Sequence, residues 1–149
     1  MPSPAKTLDL SQPLAERVVA AARFSFPSGC CGLIEGIDTQ GGWRALDVHR
    51  TENLAGDPKC RFLIDPQAQF ALLRGLRNSG RDSGRRIIGC FHSHPNGREG
   101  PSERDRASAE EEAFVWLIAS GDPSAGFVLS AHIFDASSRT FSPVTLRNT

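Results

Sequence analysis

Residues 85–105, RRIIGCFHSHPNGREGPSERD, contain an apolar run, two histidines, a turn-rich segment and a polar segment, in that order. The run RRIIGCFHSH predicts a buried strand, PNGREGP predicts a loop, and SERDRASAEEE predicts a helix. Side chains at positions i and i+2 of a strand point to the same face. His92 and His94 are therefore expected to direct both imidazoles towards one point, where the strand meets the loop.

Outward from this stretch, the sequence predicts a helix, three strands and a second helix before it, and three strands after it. Leu14, Val18 and Ala21 lie at helical spacing, and this first helix is expected to end before Pro27. The strands before the second helix are predicted at GLIEGID, GGWRALDVHR and CRFLID. We expect residues 1–13 to form an N-terminal arm and residues 14–149 to form one α/β domain with a mixed sheet flanked by helices.

The composition narrows the classes of partner. Lysine plus arginine and aspartate plus glutamate each number 17 in 149 residues, which gives no electrostatic basis for binding nucleic acid or an anionic membrane. No apolar stretch has the length of a transmembrane helix, and the N-terminus lacks the pattern of a signal peptide. The four cysteines form no CxxC pair, so we expect reduced thiols and a cytoplasmic protein.

The same-face histidine pair indicates a metal site, because imidazole is a preferred zinc ligand. A catalytic zinc site needs a third protein ligand and an open position for water, and Asp105 follows at the start of the predicted helix. The sequence Ser102-x-x-Asp105 also resembles a helix capping box, which would explain both residues without a metal. His49 and His132 have no such neighbours, and we interpret them as structural.

Glu35 is the residue that the sequence offers as a general base. It lies within the short apolar strand GLIEGID, and burying a carboxylate without a partner is costly. A position close to a metal would suit a base that accepts a proton from metal-bound water. The alternative is an edge-facing glutamate on a half-exposed strand. Other zinc signatures, such as HExxH or HxE with PCxxC, do not occur.

Together, Glu35, HSHP at residues 92–95 and the PSERD segment that ends at Asp105 resemble the JAMM metalloprotease motif of the MPN domain. That motif has the form E…H-S/T-H-P-x6-S-x2-D. The segments SGCCGLIEG and TENLAGDPKCRFLIDP also resemble short bacterial members of the family. The resemblance implies that His92, His94 and Asp105 bind Zn²⁺, that Glu35 is the general base, and that Ser102 helps to hold the water or the oxyanion.

The resemblance further implies an MPN-like, cytidine-deaminase-like domain that acts as a zinc peptidase or isopeptidase. The expected substrate is the amide bond after the C-terminal Gly-Gly tail of a ubiquitin-like or sulfur-carrier protein. The insertions of the eukaryotic deubiquitinases are absent, which favours a small single-domain peptidase, either monomeric or homodimeric. The alternatives are a non-catalytic MPN-type protein-binding module and a zinc hydrolase of a small amide substrate.

Overall fold

Seven strands and three helices make up the fold in the computed structural model, which describes residues 6–79, 84–111 and 113–149. The fold class is α/β, and the sheet contains both parallel and antiparallel strand pairs. The bounds are β1 Thr7–Leu10, α1 Gln12–Ser25, β2 Cys31–Thr39, β3 Gly42–Thr51, α2 Pro66–Ser79, β4 Arg86–His94, α3 Glu103–Ser108, β5 Val115–Asp122, β6 Gly126–Asp135 and β7 Thr140–Asn148. None of the helices among these residues is long and apolar enough to span a membrane.

The sheet is mixed, as the sequence predicts, and it closes into a barrel in the order β1-β3-β2-β4-β5-β6-β7. Closure depends on β1, which pairs in parallel with both β3 and β7. The prediction of an arm over residues 1–13 is wrong for its described part, because β1 and the start of α1 lie there. The sequence did not predict β1, because the strand has only four residues and prolines flank it. Its Leu8 is completely buried. Residues 1–5 of the predicted arm lie outside the described residues.

One face of the sheet packs on α1 and forms the main core. Val18 and Ala22 of α1 pack with Ile34, Phe91 and the remaining inward-facing apolar residues of the strands. The burial of Leu14, Val18 and Ala21 confirms the apolar face predicted for this helix. Ser93 also belongs to this side of β4, where its Oγ accepts the backbone N–H of Cys30 at 2.8 Å.

The opposite face of β4 carries His92 and His94, and it is covered by residues 52–65 and α3. A second apolar cluster fills this side, formed by Cys90, Ala109, Trp116 and Phe134, with Phe62 packed against it. The predicted strand CRFLID is absent; the segment makes only an isolated bridge between Asn53 and Ile64. Asn53 replaces strand pairing, because its side chain bonds to the backbone of Gly29, Ala55, Arg61 and Leu63.

Candidate metal centre

Three side-chain atoms converge where β4 ends and α3 begins. Nε2 of His92 lies 3.0 Å from Nε2 of His94 and 3.2 Å from Oδ2 of Asp105. Nε2 of His94 lies 3.0 Å from the same aspartate oxygen. His92 and Asp105 are buried and His94 is half-buried. The structure thus brings together the three residues that the sequence predicts as ligands.

The tautomer of His94 is set by a backbone carbonyl. Its Nδ1 lies 3.0 Å from the carbonyl oxygen of Arg98, which can only accept a hydrogen bond. Nδ1 therefore carries a proton, and Nε2 is the nitrogen of His94 that faces His92 and Asp105. Such a hydrogen bond from the distal nitrogen is the usual orienting partner of a metal-bound histidine.

The electrostatics of the group couple the carboxylate to the imidazoles. Burial would raise the pKa of Asp105, but its hydrogen bonds with His92 and His94 hold that pKa well below the usual range. Burial lowers the pKa of His92 and keeps its ring neutral. Burial also opposes a proton on His94, but the hydrogen bond to Asp105 outweighs it and raises the pKa of His94. A cation that binds between these atoms would displace that proton.

Asp105 caps the helix and belongs to the ligand group at the same time. Its backbone N–H donates to Oγ of Ser102 at 3.0 Å, and its Oδ2 accepts the backbone N–H of Ser102 at 2.9 Å. This is the reciprocal capping box that the sequence offers as an alternative to metal binding. The two interpretations are compatible, because the oxygen that closes the cap is also the oxygen that faces the histidines.

Aromatic side chains fix the orientation of His92. The ring of Phe62 stacks on it at 4.1 Å between centroids, and Trp116 contacts it edge-on at 5.6 Å. The sequence did not predict that either residue contacts the histidines. Phe62 lies in a segment without strand pairing, so no periodicity marks its direction, whereas the apolar alternation of β5 predicts only that Trp116 is in a strand.

A cavity of about 290 Å³ opens in front of the three ligands. Its walls are residues 58–62, the loop that follows His94, and the first turn of α3, including Ser102. Glu99 and Glu103 line it, as do Lys59, Arg61 and Arg98. The three ligand candidates therefore have a solvent-accessible side at the cavity and a buried side against the second apolar cluster.

The structure does not bring Glu35 to this group. Cys31 is the residue of β2 that lies opposite His92, and Glu35 pairs with Ile87 instead. Four residues along a strand correspond to roughly 13 Å, so the Glu35 carboxylate cannot reach a ligand held by His92. The expectation that Glu35 lies beside the metal is therefore wrong, although the expectation that it is buried is correct.

Glu35 instead belongs to a second cluster on β2 and β3. Its Oε1 lies 2.9 Å from Nε2 of His49, and its other oxygen pairs with Arg85. Oδ2 of Asp47 lies 3.7 Å from the same histidine nitrogen, and Oδ1 of Asp47 accepts from Arg17 at 2.7 Å. These partners supply the compensation that a buried carboxylate needs.

The first group fits a zinc ion by its donor set and its geometry. Tetrahedral zinc takes nitrogen and oxygen ligands at about 2 Å, which separates neighbouring ligand atoms by roughly 3.3 Å. The separations here are 3.0–3.2 Å. Three protein ligands also leave a fourth position free on the side of the cavity. The second cluster fits less well, because arginines already neutralise its carboxylates.

Comparison with known proteins gives relatives that cover most of the chain. The family model described as prokaryotic homologs of the JAB domain matches residues 11–132. A desampylase from Haloferax volcanii is 30% identical over 96 residues, which are 64% of this chain and 65% of that protein. Tail tip assembly protein K of Escherichia phage N15 is 25% identical over 111 residues, 74% of this chain and 40% of that protein. The matched regions therefore span less than two thirds of either relative.

Two solved structures resemble the fold closely. A protein from Desulfitobacterium hafniense matches with a TM-score of 0.75 and 25% identity, covering 96% of this chain and 93% of its own. A protein from Salinibacter ruber matches with a TM-score of 0.67 and 24% identity, covering 97% and 91%. The family match contains β2, β4 and α3 and with them all three metal-ligand candidates. The JAMM resemblance is thereby confirmed, and the chain belongs to the family of prokaryotic homologues of the JAB domain.

Proposed function

We propose that the protein is a zinc-dependent peptidase or isopeptidase that hydrolyses the amide bond after the Gly-Gly tail of a ubiquitin-like or sulfur-carrier protein. The observation that carries the proposal is the convergence of His92, His94 and Asp105 at a cavity, in a chain of the JAB family. The similarity to a desampylase supports an amide hydrolase that acts on ubiquitin-like proteins.

His92, His94 and Asp105 would hold the metal. Phe62 stacks on His92 and the carbonyl of Arg98 bonds to His94, so both imidazoles keep their orientation. Bound zinc supplies Lewis-acid chemistry, polarising a carbonyl and lowering the pKa of a water molecule. Oγ of Ser102 accepts a hydrogen bond from Asp105, so its own proton is free to point into the cavity. We assign to Ser102 a donor role towards the oxygen on which negative charge develops.

The general base of the proposed mechanism must be a residue other than Glu35. A general base must lie within hydrogen-bond reach of the proton that it removes, directly or through one water. Glu35 does not meet this condition. Within the described wall of the cavity, the carboxylates besides Asp105 are Glu99 and Glu103, and Glu103 is engaged with Arg106. Glu99 is therefore the carboxylate that we assign to proton transfer.

A protein substrate is favoured over a small amide by exposed apolar side chains on the segment that supplies part of the cavity wall and on the helix that follows it. Four large apolar side chains on residues 52–65 and α2 are exposed, namely Leu54, Leu63, Phe70 and Leu73. Exposed apolar side chains of this size are typical of surfaces that bind another protein. A glycine tail also has no side chains and suits the approach to a half-buried centre.

The position of Glu35 favours a second candidate function, a metal-holding MPN-type module that binds protein tails without hydrolysis. In that case the three ligands would serve binding or stability alone. The two candidates share the metal and differ in turnover, so a single experiment separates them.

The test is intact mass spectrometry of ubiquitin-like proteins with short extensions after Gly-Gly. The zinc-loaded protein is compared with Asp105→Ala, and with Asp47→Ala as a carboxylate control from the second cluster. Loss of the extension with the wild type and Asp47→Ala, but not with Asp105→Ala, is expected. Full zinc loading with no cleavage of any extension would refute the peptidase and favour the binding module.

The fold, the cysteines and the charge support the remaining parts of the proposal. The family match begins at Ser11, just before α1, and the barrel includes β1 and β7, so we propose one MPN-like domain rather than an arm and a domain. Cys30, Cys31, Cys60 and Cys90 are free thiols, which supports the cytoplasm as the location. A monomer or homodimer without nucleic acid or membrane partners agrees with the balanced charge.

A further inference from the structure

A second cavity adjoins the metal centre, and we propose that it is a carboxylate subsite that binds the released side of the scissile amide. Arg61 and Arg104 would bind the carboxylate of a short C-terminal extension. This inference rests on the proposed function and narrows its substrate class: the protein would trim one or two residues from a tail rather than release a lysine-linked protein.

The two cavities share a wall. The second has a volume of about 300 Å³ and is lined by Arg61, Phe62, Arg104, Asp105, Ala107 and Ser108. Arg61, Phe62 and Asp105 also line the first cavity, of about 290 Å³. A peptide whose scissile carbonyl lies in the first cavity can therefore extend past Asp105 into the second. Asp105 is the member of the ligand group that lies at the boundary between them.

The charges of the second cavity favour an anion. Among the described residues, the guanidinium of Arg61 makes no hydrogen bond or ion pair. Arg104 meets Asp57 only at 3.9 Å, with both side chains more than half exposed. Asp105 is already committed to the backbone of Ser102 and to the two imidazoles. Guanidinium groups match the geometry of a carboxylate and bind it with paired hydrogen bonds.

The backbone of Arg61 is held at two points, so its side chain leaves the wall at a fixed place. Its N–H donates to the carbonyl of Asp57 at 2.9 Å, and its carbonyl accepts Nδ2 of Asn53 at 3.0 Å. Arg104 is fixed differently, as the second residue of α3 and the direct neighbour of Asp105. Both cations are thus tied to the elements that build the metal centre.

The size of the cavity selects a small leaving group. A volume of about 300 Å³ lies at the lower end of ligand pockets and accommodates one or two residues. In a short extension, the α-carboxylate lies within a residue or two of the cleaved bond. In an isopeptide with a folded protein, the leaving lysine has no free carboxylate nearby. The subsite therefore favours linear extensions.

The kinetic test uses a ubiquitin-like protein extended by Ala, by Ala-amide or by Asp-amide after Gly-Gly. The free carboxylate is expected to lower KM at least about tenfold relative to Ala-amide, since charged hydrogen bonds are lost with the amide. Arg61→Gln and Arg104→Gln should raise KM for the Ala extension several times more than KM for the Ala-amide extension. Arg77→Gln, on α2 and in neither cavity, is the matched control. A lower KM for Asp-amide than for Ala-amide would also support the subsite, because the side-chain carboxylate would then take the place of the α-carboxylate.

A binding measurement tests the subsite independently of turnover. N-acetyl-alanine is titrated into the zinc-loaded protein, and the arginine Nε–H signals are followed by NMR, with N-acetyl-alanine amide as the control. Shifts of Arg61 and Arg104 with the acid alone support the subsite, even if no extension is cleaved and the peptidase proposal fails. Equal shifts with acid and amide, or equal KM values for Ala and Ala-amide, would overturn it.

Discussion

Two carboxylate–histidine clusters occupy neighbouring parts of the sheet, and they differ in how their charge is balanced. In one, His92, His94 and Asp105 direct three ligand atoms to within 3.2 Å of each other beside a cavity. In the other, Glu35 and Asp47 meet His49, and each carboxylate also has an arginine partner. Similar residue types therefore serve different purposes according to the cations around them.

The two clusters differ in how much an external cation would stabilise them. Arg85 and Arg17 complete the second cluster from within the protein, so it needs no external ion. Among the described residues, no lysine or arginine forms an ion pair with Asp105, whose partners are imidazoles and a backbone N–H. The first cluster is therefore the one that gains from a divalent cation.

The largest expected effect comes from removing the shared carboxylate of the first cluster. Asp105→Ala should lower zinc affinity by more than about 100-fold. Loss of a residue that only hydrogen-bonds to a metal ligand already lowers metal affinity about 10–100-fold, and Asp105 is itself a proposed ligand. Calorimetric zinc titration measures it, with Asp47→Ala as the matched loss of a carboxylate from the second cluster. If both variants lost zinc equally, the distinction between the clusters would collapse.

Next in size is the effect of Glu35→Gln, which should act on stability rather than on chemistry. The amide loses the charge that faces Arg85 and His49, and we expect a loss of about 1–3 kcal/mol in the free energy of unfolding. Zinc content and kcat should stay within a few-fold of the wild type. A fall in kcat of a thousandfold with zinc retained would instead restore Glu35 as the base.

A smaller effect is expected at Ser102, where the cap and the donor role can be separated. Ser102→Ala should lower the free energy of unfolding by about 1 kcal/mol, because the N-cap hydrogen bond of α3 is lost. Ser102→Asp restores a capping oxygen without a hydroxyl proton. Urea unfolding and kcat are measured for both variants. Recovery of stability without recovery of kcat supports the donor role, whereas joint recovery would reduce Ser102 to a capping residue.

The smallest effect concerns Arg139, which lies in the turn between β6 and β7 and holds the far end of α3. Its guanidinium donates to the carbonyls of Arg106 and Ala109 at 2.8 and 3.2 Å. Arg139→Gln should weaken zinc binding only a few-fold, because the helix that carries Asp105 loses its C-terminal hydrogen bonds. An unchanged zinc affinity would mean that the capping box alone fixes Asp105.

Local patterns predicted the first cluster well. The i, i+2 spacing of His92 and His94 depends only on the strand, and the Ser102–Asp105 spacing depends only on one helical turn. Each of these arrangements depends on the backbone of only a few consecutive residues, so it can be predicted from the local sequence. The convergence of β4 and α3 required only a short loop between them.

Partners across strands were not predictable in the same way. The distance from Glu35 to His92 depends on the register of β2 against β4, which shifts between Ile34 and Glu35. A shift of one residue in this register changes which side chains the Glu35 carboxylate meets, and no local pattern encodes that register. The same reasoning applies to Phe62, whose stacking on His92 depends on the hydrogen bonds of Asn53.

The pairing of β1 with β7 has a consequence for how the protein folds. Thr7 lies opposite Thr145, and Arg147 binds both oxygens of Asp9 at 2.7 and 2.9 Å, across 138 residues of chain. Contacts so distant in sequence form slowly, because a long loop must close before they stabilise anything. On the ribosome, the N-terminal strand can pair with β3 early but must wait for β7. The barrel can close only after β7 has emerged from the ribosome.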